Sequence, residues 1–397
     1  MGDFWGETVA RDLLKKKKAP FVLATGITTS GPIHLGNLRE TLTGDVIVKL
    51  LREKRKKVSF LFVVDDFDPL RKVYPFLSQK YEKYIGSPYF LIPAPEGRGN
   101  YSQYFLKPFL LSLKKLDIKP KVVLASNLYG SGKMTRVIKA ALQKKEEIAK
   151  ILEKITNRQI PADWSPFLPL CQKCQKISST KVTTVLLAKN KVKYLCQSCG
   201  KTGWADFSKG QGKLSWRVDW PARWKVLKVN IEPMGKDHAS AGGSYESGKE
   251  IAEKIFRYPA PYSVSYERIM LRGTGAMHSS TGTAISVDAA LKFMSPTLIR
   301  YFIIRSHRER HIEFEPTKDW LSLGEGLFNL WRKNPKSALW RISLAQKNYF
   351  PLPLRHLIVS IQAAAGKIDE IKRILRQTKT VFSPSYLKEE VDRSLVW

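Results

Sequence analysis

A strand–turn–helix–strand pattern near the amino terminus constrains the fold more than any other feature of the chain. Residues 20–27, PFVLATGI, are typical of a buried strand, and the polar turn TTSGP follows them. Pro32 suits the first turn of the next helix, and Ser30 suits a position near its N-cap. Residues 58–69, VSFLFVVDDFDP, form the second predicted strand. The apolar residues of the intervening helix recur at helical spacing: Leu35, Leu38, Leu42, Val46 and Leu50. The sequence therefore predicts a right-handed βαβ unit of a parallel sheet, in an α/β fold.

The turn before this helix has the composition of a phosphate-binding site. His34 and Asn37 lie one helical turn apart and share a face at the amino-terminal end of the helix. Backbone N–H groups and the helix dipole attract anions at such an end, and both side chains can donate further hydrogen bonds. Gly26 and Gly36 let a nucleotide come close to the backbone. A lone histidine at a helix start is more often a cap, but the string TTSGPIHLGN favours a triphosphate site.

Several acidic and aromatic residues have two interpretations that the residues alone leave open. Asp65, Asp66 and Asp68 end the second strand, where ligands of parallel sheets bind, but they could equally cap that strand. Trp220 and His238 could line the same crevice or could belong to the hydrophobic core.

The cysteines form two CxxC pairs, Cys171 with Cys174 and Cys196 with Cys199. Two residues between thiolates let both sulfurs reach one tetrahedral ion, and the spacing of the pairs is typical of a zinc ribbon. The segment between the pairs alternates like a β-hairpin with KNK at its tip. Two disulfides are the alternative, which a cytoplasmic chain disfavours. We predict a structural Zn²⁺ site, because four thiolates leave no coordination position for water.

The charge of the chain limits the class of its partner. The 397 residues include 68 Lys and Arg against 35 Asp and Glu, for a formal net charge of +33. This excess indicates a polyanionic partner, although a generally basic proteome would also produce it. The longest apolar run, Phe60 to Val64, is too short to cross a bilayer, and the amino-terminal charges are in the wrong order for a secretory signal. We expect a cytoplasmic protein that does not contact membranes.

Four strings resemble the sequence blocks of one enzyme family. GPIHLGN, residues 31–37, resembles the HIGH signature of class I aminoacyl-tRNA synthetases. DDFDPLRKV, RVDWPARW and GKDHASAGGSYESGKEIAEKIF are similar to blocks of the class I lysyl-tRNA synthetase family and occur in its order. The resemblance covers most of residues 1–370, including the zinc-ribbon insertion. It implies that ATP activates lysine as an adenylate, and that the lysyl group then passes to tRNA, which would be the polyanion.

The resemblance also implies roles for individual residues. Glu40 and Tyr266 match the residues that hold the ε-ammonium group of lysine. Trp220 and His238 match residues around the α-carbon of the substrate. The remaining implied contacts are Gly26 and Thr28 for the amino acid, and Gly26, His34, Gly36, Asn37 and Met277 for ATP.

Residues 276–282, AMHSSTG, stand where the family carries its KMSKS-type loop, typically Lys-Met-Ser-x-Ser-Lys-Gly. Both lysines of that motif are replaced, by Ala276 and Thr281. The second lysine steadies the pyrophosphate during attack on the α-phosphate, and losing one preorganised charge of this kind costs roughly 10²–10³ in rate. His278 or Arg272 could substitute. The implied catalytic residues are His34, Asn37, Ser279 and Ser280. The departure indicates a slower or altered enzyme without proving an inactive one.

The resemblance implies a Rossmann-type class I synthetase catalytic domain with a zinc-ribbon insertion, followed by an all-α carboxyl-terminal region. The expected boundaries are 1–160 for the first half of the catalytic domain with a helical connective insertion, 161–205 for the zinc ribbon, 206–294 for the second half with the loop, and 295–397 for a helical stem-contact and shortened anticodon-binding region. Family members continue well past residue 397, so lysine activation is predicted more strongly than tRNA specificity.

Two functions of different classes follow from these observations. The leading hypothesis is a lysine–tRNA ligase that uses ATP with Mg²⁺, carries structural Zn²⁺, has lysine and tRNA(Lys) as partners, and is expected to be a monomer. The alternative is a catalytically impaired, synthetase-derived tRNA-binding protein, which the missing loop lysines favour. The intact set of predicted lysine-pocket residues favours the ligase. A ligase that lysylates an acceptor other than tRNA is the third possibility.

Overall fold

A five-stranded parallel sheet forms the centre of the molecule. The computed structural model describes residues 4–273, 275–277 and 284–396. The strands of the sheet are β1 (Phe21–Ile27), β2 (Val58–Val64), β3 (Lys121–Leu124), β9 (Ile231–Gly235) and β10 (Tyr262–Tyr266). Their order is β10–β9–β1–β2–β3, and every neighbouring pair is parallel. β1 and β2 pair in register along their whole length, so the predicted βαβ unit is confirmed.

Helix α2 (Leu35–Glu53) connects β1 to β2 and packs on both strands. Its N-cap is His34, in an extended conformation with φ −120° and ψ 175°. The predicted positions of Ser30 near the N-cap and Pro32 in the first turn are therefore wrong. The physical reason is that the His34 side chain itself accepts a hydrogen bond from the first turn, so the helix begins later than the proline suggests.

Shorter helices surround the sheet. They are α1 (Trp5–Lys16), α3 (Tyr101–Lys115), α4 (Ala125–Gly130), α5 (Thr135–Gln143), α6 (Lys145–Thr156), α7 (Trp216–Leu227), α8 (Lys236–Ala239) and α9 (Ser244–Lys254). Short 3₁₀ turns occupy Gln79–Tyr84, Tyr89–Leu91, Leu187–Lys189 and Phe207–Lys209. The prediction of helices around a short strand within residues 103–155 is confirmed by α3, β3, α4, α5 and α6.

The cysteine-containing segment forms small antiparallel sheets of its own. One sheet contains β5 (Thr180–Leu186), β6 (Lys191–Cys196) and β7 (Thr202–Asp206). The predicted hairpin is the pair β5 and β6, and its tip is a 3₁₀ turn that ends at Asn190. β4 (Phe167–Pro169) and β8 (Gly212–Leu214) pair at the base of the segment, so the chain leaves it close to where it enters.

The carboxyl-terminal part is mostly helical, as predicted. Its helices are α10 (Val287–Phe293), α11 (Pro296–Ile304), α12 (Pro316–Lys333), α13 (Ala338–Ser343), α14 (Leu354–Ala363), α15 (Ile368–Gln377) and α16 (Pro384–Val396). A small sheet precedes and interrupts them, with β11 (Ile269–Leu271), β12 (Gly275–Ala276) and β13 (Ile312–Phe314).

A buried arginine joins this helical part to the sheet domain. Arg300 of α11 is 0% exposed and forms an ion pair with Asp45 of α2 at 2.7 Å. Its guanidinium also donates to the carbonyl oxygens of Leu116 at 3.1 Å and Ile342 at 2.7 Å. Since a buried guanidinium without such partners would be strongly unfavourable, these contacts fix α11 against α2. The predicted fold class, an α/β sheet with a cysteine insertion and a helical carboxyl-terminal region, is confirmed.

No helix in the described part of the chain has the length and apolar character needed to cross a membrane.

Candidate active site

The carboxyl ends of the parallel strands open into a cleft with two adjoining cavities. Their volumes are about 670 Å³ and about 510 Å³, and we call them the first and the second cavity. The strand order reverses direction between β1 and β9, so the cleft lies at the topological switch point, where ligands of open α/β sheets bind. The residues that border both cavities are Ser30, Asn37, Glu40, Arg71 and His238. Each volume is large enough for a small ligand, and the shared border lets two ligands meet.

The amino-terminal end of α2 lines the first cavity. His34 Nδ1 accepts a hydrogen bond from the N–H of Gly36 at 3.1 Å, and Asn37 Oδ1 accepts one from the N–H of His34 at 3.1 Å. A neutral His34 therefore carries its proton on Nε2, and Asn37 keeps its amide NH₂ group as a donor. A Cβ atom at Gly36 would lie 2.9 Å from the His34 ring, so a larger residue would displace that ring. This helix end suits the binding of phosphate oxygens.

Glu40 lies on the border between the cavities and holds two hydrogen bonds. Its Oε1 accepts from the N–H of Gly26 at 2.8 Å, and its Oε2 accepts from the Tyr266 hydroxyl at 2.7 Å. Burial raises the pKa of Glu40 to about 7, although both hydrogen bonds act in the opposite direction. Burial and the neighbouring Glu40 hold the pKa of Tyr266 well above its usual range, so its hydroxyl remains a donor. A cation that entered the cleft would find a carboxylate already fixed in place.

Three tryptophans of α7 form one wall of the second cavity. The rings of Trp216 and Trp220 stack with centroids 5.3 Å apart, Trp224 packs beyond Trp220, and His238 approaches Trp220 at 5.7 Å. Trp220 Nε1 donates to Glu232 of β9 at 2.7 Å, and burial raises the pKa of this carboxyl to about 8. The wall offers an aromatic surface to an aliphatic chain, and Glu232 fixes the orientation of the Trp220 indole.

Asp65 and Asp68 border the second cavity, and each forms an ion pair with a basic side chain. Arg223 of α7 donates to Asp65 at 2.5 Å, and Lys213 of β8 donates to Asp68 at 2.5 Å. Asp66 faces another way and accepts a backbone hydrogen bond at the start of α4. Lys213 is only 2% exposed, so its ion pair connects the base of the cysteine segment to the floor of the cleft. These contacts favour the structural interpretation of the three aspartates.

The described start of the KMSKS-like segment borders the first cavity. Met277 is 6% exposed and lines that cavity. After the loop, the carbonyl oxygen of Ile285 accepts a hydrogen bond from the N–H of Leu35 at 3.0 Å, at the start of α2. The predicted catalytic residues Ser279 and Ser280 lie outside the described residues.

Arg272, one of the two suggested substitutes for the loop lysines, borders neither of the two cavities. Its guanidinium forms ion pairs with Glu315 at 3.4 Å and Asp319 at 3.4 Å, at the start of α12. His278, the other suggested substitute, lies outside the described residues. The Lys and Arg side chains that do line the first cavity are Arg71, Lys72 and Arg268.

The cleft brings together the predicted site residues that lie in the described part of the chain. Those residues are Gly26, Thr28, His34, Gly36, Asn37, Glu40, Trp220, His238, Tyr266 and Met277. Sequence reasoning missed Glu232, Asp237 and Arg71, which also line it. Glu232 had a usable signal, because it is a single acid inside the otherwise apolar strand IEPMG. Arg71 occurs within the quoted string DDFDPLRKV, but no local pattern indicates where its side chain goes.

The four cysteine sulfurs form a compact cluster outside the cleft. All four Sγ atoms lie within 4.8 Å of one another. The Cys171 and Cys199 sulfurs are 3.7 Å apart, and those of Cys174 and Cys196 are 3.5 Å apart. Zinc–thiolate bonds of about 2.3 Å in a tetrahedron place sulfurs about 3.8 Å apart, so the donor set fits a structural zinc ion. The spacing is far longer than a disulfide bond, and the four cysteines are free thiols.

Comparison with known proteins relates the chain to one family. The family described as tRNA synthetases class I (K) matches residues 3–341. A lysine–tRNA ligase of Thermoplasma volcanium is 42% identical over 403 residues, which cover 99% of this chain and 79% of that protein. A lysine–tRNA ligase of Picrophilus torridus is 45% identical over 413 residues, which cover 99% of this chain and 79% of that protein. The solved glutamate–tRNA synthetase of Elizabethkingia anophelis covers 95% of this chain and 80% of its own, with a TM-score of 0.43 and 11% identity, a likeness too low to carry an argument.

Proposed function

This chain belongs to the class I tRNA synthetase family for lysine, and we propose that the cleft is where it works as a lysine–tRNA ligase. In this reaction ATP activates lysine as lysyl-adenylate, and the lysyl group then passes to tRNA(Lys). Lysine, ATP with Mg²⁺ and tRNA are the substrates, and the four cysteines carry a structural Zn²⁺ ion. We propose that its domains have the boundaries expected from the sequence, which are 1–160, 161–205, 206–294 and 295–397.

The observation that carries this proposal is the fixed carboxylate of Glu40 on the border of the two cavities. Its hydrogen bonds from Gly26 and Tyr266 hold both oxygens in place before any ligand arrives. The ε-ammonium of lysine would gain an ion pair in a partly desolvated site, where such a pair is stronger than in water. The aliphatic chain would then lie against the Trp220 wall of the second cavity. A neutral side chain of similar length would leave the buried carboxylate without an opposite charge, which is unfavourable.

Lysine activation at this site needs position and charge. An oxygen of the lysine carboxylate forms a bond to the α-phosphorus of ATP while the bond from that phosphorus to the bridging oxygen breaks. Magnesium pyrophosphate leaves with the electron pair, and no proton is transferred. His34 Nε2 and the Asn37 amide would donate to phosphate oxygens at the helix terminus, so that both reactants are held in line. Met277 and Gly36 would border the nucleotide, and Gly26, Thr28 and His238 the amino acid. We keep Ser279 and Ser280 as proposed catalytic residues of the loop.

Lysine-dependent exchange between ATP and pyrophosphate tests the proposal, with ornithine and arginine as controls. We expect exchange with lysine, and we expect His34→Ala and Asn37→Ala each to reduce it by roughly 10²-fold or more, because each removes a preorganised donor. Circular dichroism would establish that both variants stay folded, since each also weakens the helix cap. Wild-type turnover in both variants would refute the assigned site.

A second candidate function rests on one observation, the replacement of both loop lysines by Ala276 and Thr281. A synthetase-derived protein that binds tRNA without charging it would tolerate that loss. The substitution Thr281→Lys separates the two functions. A large gain in exchange would indicate a loop that is only weakened, whereas no exchange in either form, from folded protein with and without tRNA, would favour the binding protein.

A further inference from the structure

The reacting phosphate chain of ATP needs a cation that the loop does not supply. ATP carries several negative charges, and charge builds up on pyrophosphate as the bond to the α-phosphorus breaks. The family motif supplies two lysines at this point, and this chain has alanine and threonine there. The question is whether another cation of the chain faces the same place.

Arg71 is placed where the two cavities meet. It borders both of them, together with Asn37 and Glu40, whereas Lys72 and Arg268 border only the first cavity. If the nucleotide occupies the first cavity and lysine the second, the shared border is where carboxylate and α-phosphate meet. Among the Lys and Arg residues of these two linings in the described part of the chain, Arg71 is the one that borders both cavities. Arg223 borders only the second cavity, and Asp65 holds its guanidinium.

The backbone beside Arg71 is firmly held. Leu70 is 0% exposed, its N–H donates to the carbonyl oxygen of Ser87 at 2.9 Å, and its own carbonyl accepts from Gly86 at 2.8 Å. On the other side of Leu70, Asp68 is fixed by Lys213 at 2.5 Å. The guanidinium therefore extends from a rigid base, which lowers the conformational cost of binding an anion.

The Arg71 side chain is exposed and forms no ion pair or hydrogen bond within the described residues. Of the other two cations that line the first cavity, only Arg268 has a hydrogen-bonded partner, because Lys72 is also exposed and forms no ion pair or hydrogen bond among the described residues. Arg268 donates to Asp237 at 3.3 Å, and the Lys72 ammonium lies 5.8 Å from the centroid of the Tyr74 ring. A guanidinium with free donors matches phosphate oxygens in two-pronged geometry.

We propose that Arg71 binds the phosphate chain of ATP and stabilises the departing pyrophosphate, in place of the absent loop lysines. This inference rests on the proposed function of the cleft. It assigns the charge compensation of the reaction to the segment after β2. Arg71 donates hydrogen bonds only and exchanges no proton with the substrates, because a guanidinium stays protonated at working pH.

Arginine variants and a matched pair of ligands test this assignment. We expect Arg71→Ala to reduce lysine-dependent exchange by roughly 10²–10³-fold, and Arg71→Lys to reduce it less, because a lysine retains the charge without the fork. Arg98→Ala is the matched control, since Arg98 is exposed in the same connection between β2 and α3 and borders neither cavity. Thermal unfolding would establish that the variants remain folded. Exchange by Arg71→Ala within threefold of the wild type would overturn the proposal.

Direct measurement of ATP binding tests the role of Arg71 even if the chain does not activate lysine. Calorimetry would compare MgATP with adenosine, which lacks the phosphate chain. Arg71→Ala should weaken MgATP about tenfold or more and leave adenosine unchanged. If the wild type showed no exchange, the proposed function would fail, while this comparison would still decide the role of Arg71. Equal weakening of both ligands, or of neither, would refute it.

A double-mutant cycle tests whether Arg71 replaces the loop lysines. Thr281→Lys restores one loop lysine, and it should rescue exchange strongly in the Arg71→Ala background but raise the wild type only slightly. If Thr281→Lys raised the exchange rate by the same factor in both backgrounds, the two cations would act independently. Arg71 would then not replace the loop lysines.

Discussion

In the proposed lysine site, Glu40 is a buried carboxyl group that would have to be charged to bind the ammonium group of lysine. Without ligand its carboxyl has a pKa raised to about 7 by burial, so a proton competes with lysine for it near neutral pH. With an ammonium group beside it, the charged form is favoured and the pKa falls. Lysine binding below pH 7 therefore releases a proton, which the empty site would otherwise hold.

This competition predicts how lysine affinity changes with pH. The lysine complex needs the ionised carboxylate, so affinity is full above pH 7 and is lost as pH falls through the ligand-free pKa of about 7. We expect the KM for lysine in the exchange reaction to rise up to about tenfold for each pH unit below that value. Initial rates at varied lysine and saturating MgATP would measure it.

The variant Glu40→Gln is the control for this pH dependence. Glutamine keeps the shape and can still pair with Gly26, but it carries no charge. Its KM for lysine should be raised roughly 10–100-fold at pH 8, because a hydrogen bond to a charged group is lost, and should change little between pH 6 and 8. A variant that keeps the wild-type pH profile would show that another group, such as Glu232 with its pKa of about 8, governs it.

The candidate site residues that could be predicted from the sequence are those whose signal is local. Asn37 and Glu40 lie at helical spacing on α2 and His34 is its N-cap, so one pattern predicts both the helix and the site at its start. Glu232 was missed although it is a single acid in an otherwise apolar strand. Lys213 was missed because its role depends on a partner far along the chain, and Arg71 because no local pattern indicates where its side chain goes. Lys213 meets Asp68 across 145 positions of sequence, and no local pattern encodes that contact.

At the scale of the element, local signals gave the type of each element more reliably than its ends. Five apolar positions predict the helix after β1, but the helix begins at Leu35, later than predicted, because the His34 side chain caps it. The sequence does not predict β13, because three residues are too few to show a periodicity. This strand is stabilised by parallel pairing with β11.

The cysteine segment predicts a local response to metal removal. Its strands are short and many of their residues are exposed, so the zinc ion would supply most of their stability, and structural zinc contributes about 10–16 kcal/mol in small domains. We expect about one zinc per chain by metal analysis. Chelation should abolish amide-exchange protection in β5, β6 and β7 while β1 and β2 keep theirs.

Cys174→Ser supplies the genetic equivalent of chelation, and zinc added back to the chelated wild type supplies the control. Protection should return on addition of zinc to the wild type and stay low in the variant. Protection of β5–β7 that survives complete metal loss would show that packing against residues such as Tyr194, which is 0% exposed, is sufficient to hold the ribbon.

At the scale of the whole molecule, the sheet order explains why residues distant in sequence meet in one cleft. β1 and β9 are neighbours at the point where the order reverses, so the first βαβ unit and the segment after the ribbon each contribute one side. The sequence predicted the parallel sheet, but the position of β9 next to β1 depends on the insertion returning through β8 to α7. The chain spans 79% of the length of the first two relatives described above.

The net charge of +33 predicts that tRNA binding is dominated by phosphate contacts and is sensitive to salt. Each phosphate neutralised by Lys or Arg releases counterions, and six contacts would lower the affinity by roughly 10³-fold between 50 and 200 mM salt. Filter binding of tRNA(Lys) across this range would measure the slope. Lysine-dependent ATP–pyrophosphate exchange without tRNA should change far less over the same range. Contacts to bases are less sensitive to salt, so preference for tRNA(Lys) over another tRNA should persist at 200 mM if this chain reads identity. A preference that vanishes while exchange continues would mean that this chain activates lysine and binds tRNA through charge alone.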